Sequence, residues 1–190
     1  MPASHRGSVK GSVVLSRLAF VRAHGGAECV ERVLARLSPE DRKVLTATMQ
    51  PNTWYAFEMN AHLDAAIAEE LKHGKRIFRL LGAASARHNL AGADQQKFVR
   101  DRNPHALLEQ SSAIYGVYYD TGHRWYERVS DKKAILRTAV SLSFSTEDCL
   151  TVVGWHETAI EICGGRDVKV DETQCRARGD AVCEYVCEWT

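Results

Sequence analysis

Residues 149–190 read CLTVVGWHETAIEICGGRDVKVDETQCRARGDAVCEYVCEWT and hold five of the six cysteines of the chain. Within them, Cys149, Glu172, Cys175 and Cys183 follow the spacing C-x22-E-x2-C-x7-C. Three thiolates and one carboxylate form a tetrahedral ligand set that suits Zn²⁺. The spacing is not one of the common zinc-finger patterns, so it also fits small side chains packed in a core, with Glu172 at the surface. Spacing alone leaves both interpretations open.

The last part of this stretch predicts a β-hairpin. Residues 181–189 alternate in the manner of a strand, residues 168–175 form a second strand, and Arg176–Asp180 is the turn between them. Cys175 and Cys183 flank this turn, so their side chains can converge. Glu172 stands three positions before Cys175, on the opposite face of a regular strand. A shared ion therefore requires a bulge or a strand end between them.

The first part of the stretch, residues 147–163, favours a helix that Gly164–Gly165 stops, although Leu150–Val153 is also compatible with a strand. Cys149 then lies in the first turn, where the helix dipole favours a thiolate. Four protein ligands close a zinc site and make it structural. Nearby arginines offset part of its negative charge, and two other cysteines are substitute ligands: Arg166, Arg176 and Arg178, and Cys163 and Cys187.

The residues before this stretch predict a helical half followed by two strands. Ser38–Pro39–Glu40–Asp41 is a helix start signal, and Gly25–Gly26 separates two helices. The run Gly82–Ala86 is small enough for another helix to approach closely. Helices are predicted over 10–24, 27–37, 39–49, 57–72, 76–89 and 104–119, and strands over 125–129 and 134–140. We therefore expect an α+β chain, with a flexible tail over 1–9, one domain over 10–190 and a cysteine-rich subdomain over 149–190.

The composition of the chain limits which classes of function are expected. A hydrophobic content of 45% and a charged content of 26% are those of a soluble globular protein. A formal net charge of +1 gives no electrostatic case for nucleic acid. No apolar run reaches the roughly 18 residues of a membrane helix, and no apolar signal-peptide region follows the N-terminus. A cytoplasmic location is the expectation. In that reducing compartment, cysteines are more often free thiols or metal ligands than partners in disulfides.

Aromatic residues suggest a small-molecule pocket, although core packing explains them equally well. The candidates for its lining are Trp54, Tyr115, Tyr118, Tyr119 and Trp125. His156 lies on an amphipathic helix, where a histidine is more often packed or exposed than bound to haem or a metal. The sequence contains no G-x-S-x-G, P-loop or H-E-x-x-H motif, and nothing orients a cysteine–histidine pair, so an enzyme is not expected.

The pattern C-L-T-V-V-G-W, C-G-G-R and V-x-E-x-x-C-R-A-R-G-D-x-x-C-E-Y resembles the vinyl-reductase-type domain, which also forms the sensor half of phenol-responsive transcription activators. The resemblance implies that Cys149, Glu172, Cys175 and Cys183 hold a structural zinc. The opening V-K-G-S-V-V-L-S-R-L, W-Y-A-F-E and Y-Y-D-T-G resemble a paralogue-rich myxobacterial family over about residues 8–190. Its implied fold is that of haem–nitric-oxide-binding domains and TRAPP subunits, which commonly dimerise.

Together these observations predict a non-enzymatic, cytoplasmic sensor domain. It binds a small apolar or aromatic ligand, carries a structural zinc and forms a homodimer, without contact to nucleic acid or membrane. The alternative is a dimeric scaffold or interaction protein with a filled core and no ligand pocket. The haem ligand of the nitric-oxide sensors has no recognisable motif in this sequence.

Overall fold

The N-terminal half of the fold is helical around a short two-stranded ribbon, in a computed structural model that describes residues 7–91 and 96–190. Strand β1 (Ser8–Lys10) pairs antiparallel with β2 (Trp54–Ala56), with Val9 opposite Tyr55. The helices of this half are α1 (Gly11–Ala35), α2 (Pro39–Thr46), α3 (Phe57–Leu71), α4 (Arg76–Ala91), α5 (Gln96–Val99), α6 (Pro104–Glu109) and α7 (Ser111–Tyr118).

Strand β1 lies inside the segment predicted to be a flexible tail. Val9 is fully buried and also bridges Tyr119, so the chain is already part of the core at this residue. Residues 1–6 of that prediction lie outside the described residues. The tail over 1–9 is therefore corrected: the ordered chain includes residues 7–9.

The structure confirms the predicted start of α2, whereas α1 and the helix predicted over 104–119 differ from the prediction. The Ser38 hydroxyl accepts a hydrogen bond from the Asp41 amide at 3.1 Å, as an N-cap does. The helical assignment of α1 is continuous, but Gly26 has φ 73° and ψ −173°, so the backbone bends where the sequence predicts a break. The single helix predicted over 104–119 is divided into α6 and α7 at Gln110, which has φ −88° and ψ 5°.

The C-terminal half is an antiparallel sheet with a helix packed against it. The sheet consists of β3 (His123–Ser130), β4 (Lys133–Ala139), β5 (Lys169–Gln174) and β6 (Cys183–Glu188), in the order β3-β4-β6-β5. Helix α8 (Thr146–Ile162) connects β4 to β5, and the Ser145 hydroxyl caps it by accepting from the Asp148 amide at 3.0 Å. This arrangement confirms the predicted α+β fold class.

Helices α4 and α8 touch backbone to backbone, as the small run Gly82–Ala86 predicts. A Cβ at Gly82 would collide with the carbonyl oxygen of Thr151, and a Cβ at Gly154 would collide with that of Arg79. Only glycine allows this approach at both points. The contact joins the helical half to the helix that carries Cys149.

Two hydrophobic clusters form the interior. The larger lies among the helices of the first half and includes Leu63, Ile67 and Ile77. The smaller lies between α8 and the sheet and contains Leu136, Tyr185 and the cysteines 149, 175, 183 and 187. Within the described ranges, no helix combines the length and apolarity that crossing a membrane demands.

Candidate functional site

Cys149, Glu172, Cys175 and Cys183 meet at one point at the end of the hairpin. One ligand atom from each lies within 4.8 Å of the other three. The Sγ of Cys149 is 3.6 Å from the Sγ of Cys183 and 3.6 Å from that of Cys175. With Zn–S bonds of about 2.3 Å, tetrahedral angles separate two sulfurs by about 3.8 Å. The thiol spacing therefore matches what a tetrahedral ion requires.

A β-bulge brings Glu172 to the same side as Cys175. The register between β5 and β6 shifts between Glu172 and Gln174, because Glu172 faces Tyr185 and Gln174 faces Glu184. Such a bulge is the condition that the sequence imposes for both side chains to reach one point. The Glu172 side chain is only 6% exposed. Glu172, the least secure member from the sequence, therefore meets the geometric requirement.

The two carboxylate oxygens of Glu172 have different surroundings. Oε2 accepts a hydrogen bond from Nη1 of Arg178 at 2.8 Å. Oε1 is buried and has no N–H or O–H donor among the described residues, while the Cys175 thiol contacts the Glu172 carboxylate, and burial together with this contact raises the pKa of that thiol. An unpaired buried carboxylate oxygen is costly unless a proton donor or a cation compensates it. This oxygen lies beside three sulfurs, so its surroundings suit a bound cation.

The cluster holds one thiol that ionises readily. The pKa of Cys183 is lowered to about 7 because the Cys149 thiol donates a hydrogen bond to its sulfur, which also accepts the Arg176 amide at 3.4 Å. The same Cys183 contact and burial raise the pKa of Cys149, and burial raises that of Cys175. The negative charge of the cluster is therefore centred on Cys183 and Glu172 when no ion is bound.

The other residues considered for this site take different roles. Arg178 reaches Glu172 with its side chain, whereas the side chain of Arg176 donates to the carbonyl of Ser141 and stacks over Phe144. Arg166 pairs through its backbone with Thr190. Cys163 and Cys187, considered as substitute ligands, are buried but do not belong to the metal-competent group within the described residues.

A cavity lies between the helical half and the sheet, next to this cluster. The volume of this cavity that is open to water is about 40 Å³. A smaller neighbour offers about 20 Å³, extends to Cys149 and Cys183, and shares Tyr115, Tyr119 and Arg124 with the larger one. The larger cavity is lined by Val13, Arg17, Ser85, Asn89, Ile114, Tyr115, Tyr118, Tyr119, Arg124, Thr151, Val152, Trp155 and His156.

Arg124 and His156 are two polar residues of the larger cavity that contact each other. The Arg124 Nε donates to the hydroxyl of Thr138 at 2.8 Å, and its Nη1 lies 3.4 Å from Nε2 of His156. The Nδ1 of His156 lies 2.8 Å from the Val152 carbonyl, which fixes the ring. Burial, together with the Arg124 charge, lowers the pKa of His156 to about 3. His156 is therefore neutral at physiological pH.

A second buried polar network borders the same space. The Arg17 guanidinium donates to both carboxylate oxygens of Asp64, at 2.5 and 3.1 Å, and lies 3.7 Å from Asp148. The Tyr119 hydroxyl donates to the Asp148 carboxylate. Burial raises the pKa of Asp148 to about 6. The network ties α1, α3 and α8 together through one arginine.

The structure brings some of the predicted pocket residues together and separates others. Tyr115, Tyr118 and Tyr119 line the larger cavity. Trp125 and Trp54 lie elsewhere: they are 37% and 39% exposed. Neither lines the larger cavity, and a ligand contact for these two stays a prediction. Trp125 stacks on His123 outside the sheet, and Lys10 covers Trp54.

Strand phase separates Trp125 from this cavity. Along β3 the inward positions are Arg124 and Tyr126, and Trp125 lies between them on the outer face. The candidates for the pocket lining were chosen for their aromatic rings, and Arg124 was not among them. The signal was available: in a period-two strand, Tyr126 inside requires Arg124 inside as well.

Comparison with known proteins defines the fold and goes no further. No family model matches the sequence, and no curated protein matches it. The structure resembles the H-NOX domain of Shewanella oneidensis in its Fe(II)CO state, with a TM-score of 0.73 and 15% identity, over 95% of this chain and 98% of that one. It also resembles the unliganded Fe(II) H-NOX protein of K. algicida, with a TM-score of 0.72 and 10% identity, over 95% and 96%. A structure from a study of heme distortion in the H-NOX family gives a TM-score of 0.71 and 11% identity, over 95% of each chain.

Proposed function

We propose that this chain is a non-enzymatic regulatory domain that binds a small molecule in the cavity between its two halves. A structural zinc holds the C-terminal hairpin to α8. The observation that carries the proposal is the position of the cavity, which contacts α1, α4, α7, α8 and β3 and adjoins the cysteine cluster. A ligand at this point touches both hydrophobic clusters, so its binding can change how they pack.

Three features support zinc in the cluster. The thiols have tetrahedral spacing, the bulge aligns Glu172 with them, and one carboxylate oxygen is buried without an N–H or O–H donor from the part of the chain that the structure describes. The set Cys₃Glu offers no open position once filled, so the ion would stabilise the fold and perform no chemistry. The resemblance to the vinyl-reductase-type domain assigns the same four residues.

The zinc proposal is tested by two cysteines of the same strand. Cys183 and Cys187 both face inward from β6, but only Cys183 belongs to the cluster. We expect Cys183→Ser to lose zinc and thermal stability together, while Cys187→Ser keeps about one zinc per chain. Elemental analysis and thermal unfolding provide the two readings. Metal-free wild type that melts like the metal-loaded protein would exclude a structural zinc.

Haem is the cofactor that the H-NOX neighbours carry, and the cavity residues do not fit it. Pockets for larger ligands are commonly about 300–1,000 Å³, far above the space at His156. Among the described residues His156 is also the only histidine of the lining, and its Nε2 faces the Arg124 guanidinium instead of open space. We therefore expect no Soret band of ligated haem when hemin is titrated into the protein. A stoichiometric band that His156→Ala abolishes would overturn this assignment.

The second candidate is a dimeric interaction protein without a ligand. The small size of the cavity favours it, because a solidly packed interior is what that function predicts. Native mass spectrometry of protein from its own cells separates the candidates by reporting metal, co-purified ligand and oligomer together. A dimer with zinc and no small molecule, even when protein is taken from growing cells, would favour the interaction protein.

A further inference from the structure

We propose that the cavity beside Arg124 binds a small planar oxyanion of the carboxylate type, with about three or four non-hydrogen atoms. This rests on the proposed ligand-binding function and names the class of ligand. It replaces the apolar or aromatic ligand that the sequence suggests.

Arg124 is a buried guanidinium without a carboxylate partner. The residue is 7% exposed. Among the ion pairs within 4.0 Å in the described part of the chain, none includes Arg124. Nη2 has no acceptor among the described residues, and Nη1 has only the neutral His156. The charge of Arg124 lowers the pKa of Asp148 and of Cys183, so both act on it, but from beyond direct ion-pair distance. A buried arginine is normally in direct contact with an anion, because a charge in the interior is costly.

The guanidinium is held in place and faces the cavity. Its carbon lies 4.9 Å from the ring centroid of Tyr115 and 5.4 Å from that of Tyr185. The bond from Nε to Thr138 fixes the remaining edge, so the Nη groups face the cavities that Arg124 lines. A planar fork of N–H donors, positioned in this way, matches the two oxygens of a carboxylate.

The other polar groups of the larger cavity do not oppose an anion. His156 is neutral, and the Tyr119 hydroxyl is already committed to Asp148. Asp148 lines the smaller cavity and not the larger one, and Arg17, which lines the larger cavity, is already paired with Asp64. We therefore place the anion in the larger cavity, where Asn89 and Ser85 supply further polar atoms.

The space available sets the size of the ligand. One water needs a cavity volume of roughly 10–15 Å³, so a volume of about 40 Å³ suits a ligand of roughly three or four non-hydrogen atoms. Formate, acetate, bicarbonate and nitrate have this size and share planar oxyanion geometry. A benzene ring exceeds it unless the walls move.

The experiment is isothermal titration calorimetry of the zinc-containing protein at constant ionic strength. The probes are formate, acetate, bicarbonate and nitrate, with acetamide, benzoate and phenol as comparisons. We expect saturable binding of one or more of the four small anions and none of neutral acetamide, which has the shape of acetate. The anion that binds most tightly shows whether the cavity selects a carboxylate, bicarbonate or nitrate.

Two variants test the role of Arg124. Arg124→Gln is expected to weaken anion binding by about tenfold to hundredfold, as loss of a hydrogen bond to a charged group does. Arg124→Lys keeps the charge without the planar fork and is expected to bind with intermediate affinity, which also covers the case that the glutamine variant folds poorly. Arg128→Gln, on the exposed end of the same strand, is the matched control and is expected to bind as wild type does.

The outcomes separate the ligand class from the broader proposal. Phenol binding without anion binding would overturn the oxyanion assignment and leave the ligand-binding function standing. Anion binding unaffected by Arg124→Gln would also overturn it. If no probe binds while native mass spectrometry shows another co-purified molecule, the oxyanion assignment fails alone. If no probe binds and no molecule co-purifies, both proposals fail.

Discussion

Glu172 shows at the scale of one residue how a bound ion changes the effect of a mutation. Its Oε1 is buried without an N–H or O–H donor among the described residues, and its Oε2 is paired with Arg178. In metal-free protein the Glu172 carboxylate is a cost, whereas in zinc-loaded protein it is a ligand. The same substitution therefore has opposite effects in the two states.

We expect Glu172→Gln to lower the thermal stability of zinc-loaded protein and to leave chelator-treated protein unchanged or more stable. The neutral amide removes the buried charge at Oε1, on the order of 1–3 kcal/mol, and this gain offsets the weaker bond to Arg178. Thermal unfolding with and without chelator measures both effects. A decrease of the same size in both states would show that Glu172 acts only through Arg178.

His156 gives a prediction about pH. Its pKa is about 3 in the folded protein and about 6.5 when unfolded, so the unfolded chain binds a proton first as pH falls. The stability that depends on neutral His156 is present above pH 6.5 and is lost as pH falls below it, by up to about 1.4 kcal/mol per unit.

We therefore expect the stability difference between wild type and His156→Gln to shrink from pH 7.5 to pH 5. Asp64 and Asp148, whose pKa values are raised by burial, act in the opposite direction in both proteins, so the comparison cancels them. Urea unfolding across this range measures the difference. A constant difference would contradict a buried neutral histidine.

At the scale of elements, the contact between α4 and α8 depends on two glycines. Gly82→Ala and Gly154→Ala are each expected to lower the free energy of unfolding by about 1–3 kcal/mol, since the new Cβ meets backbone atoms of the opposite helix. Gly116 in α7 is the control, because nothing lies within 4 Å of its added Cβ. Gly116→Ala is expected to be neutral or to stabilise by about 0.5–1 kcal/mol. Equal effects at all three positions in chemical denaturation would contradict the close helix contact.

Elements were predicted well from sequence where a local signal determines them. Ser38 starts a helix because its hydroxyl caps an amide, and Gly26 bends α1 because only glycine adopts its backbone angles readily. The cap at Ser145 was not predicted. The short helix α5 and the division at Gln110 were missed, since tertiary packing and not local propensity determines them. Cys175 and Cys183 were predicted to converge because they flank a hairpin turn, whereas Cys149 and Glu172 joined them through the spacing and the resemblance.

The cavity was predicted only in part for a physical reason. Its tyrosines are recognisable as aromatic residues, whereas Arg124 looks like a surface residue until the strand phase is known. An arginine inside a protein depends on partners from other elements, in this case Thr138, Tyr185 and His156. No local pattern encodes those partners.

At the scale of the whole molecule, the two hydrophobic clusters are expected to respond differently to metal. Chelation should raise hydrogen exchange in β5, β6 and the first turn of α8, because the cluster joins these elements. Amides of α1 and α3 belong to the other cluster and should stay protected. Hydrogen-exchange mass spectrometry with zinc-loaded protein as the control measures this. Uniform loss of protection would show instead that the domain unfolds as one unit without metal.

The glycine contact between α4 and α8 also has a mechanical consequence. Ser85 and Asn89 lie one and two turns beyond Gly82, and Thr151 and Trp155 lie on either side of Gly154. Because the backbones touch at the glycines, rotation of one helix over the other uses this contact as its pivot. A small change in crossing angle widens or narrows the cavity while the contact itself stays closed. The same rotation displaces the turn of α8 that carries Cys149, so the width of the cavity and the position of the hairpin vary together.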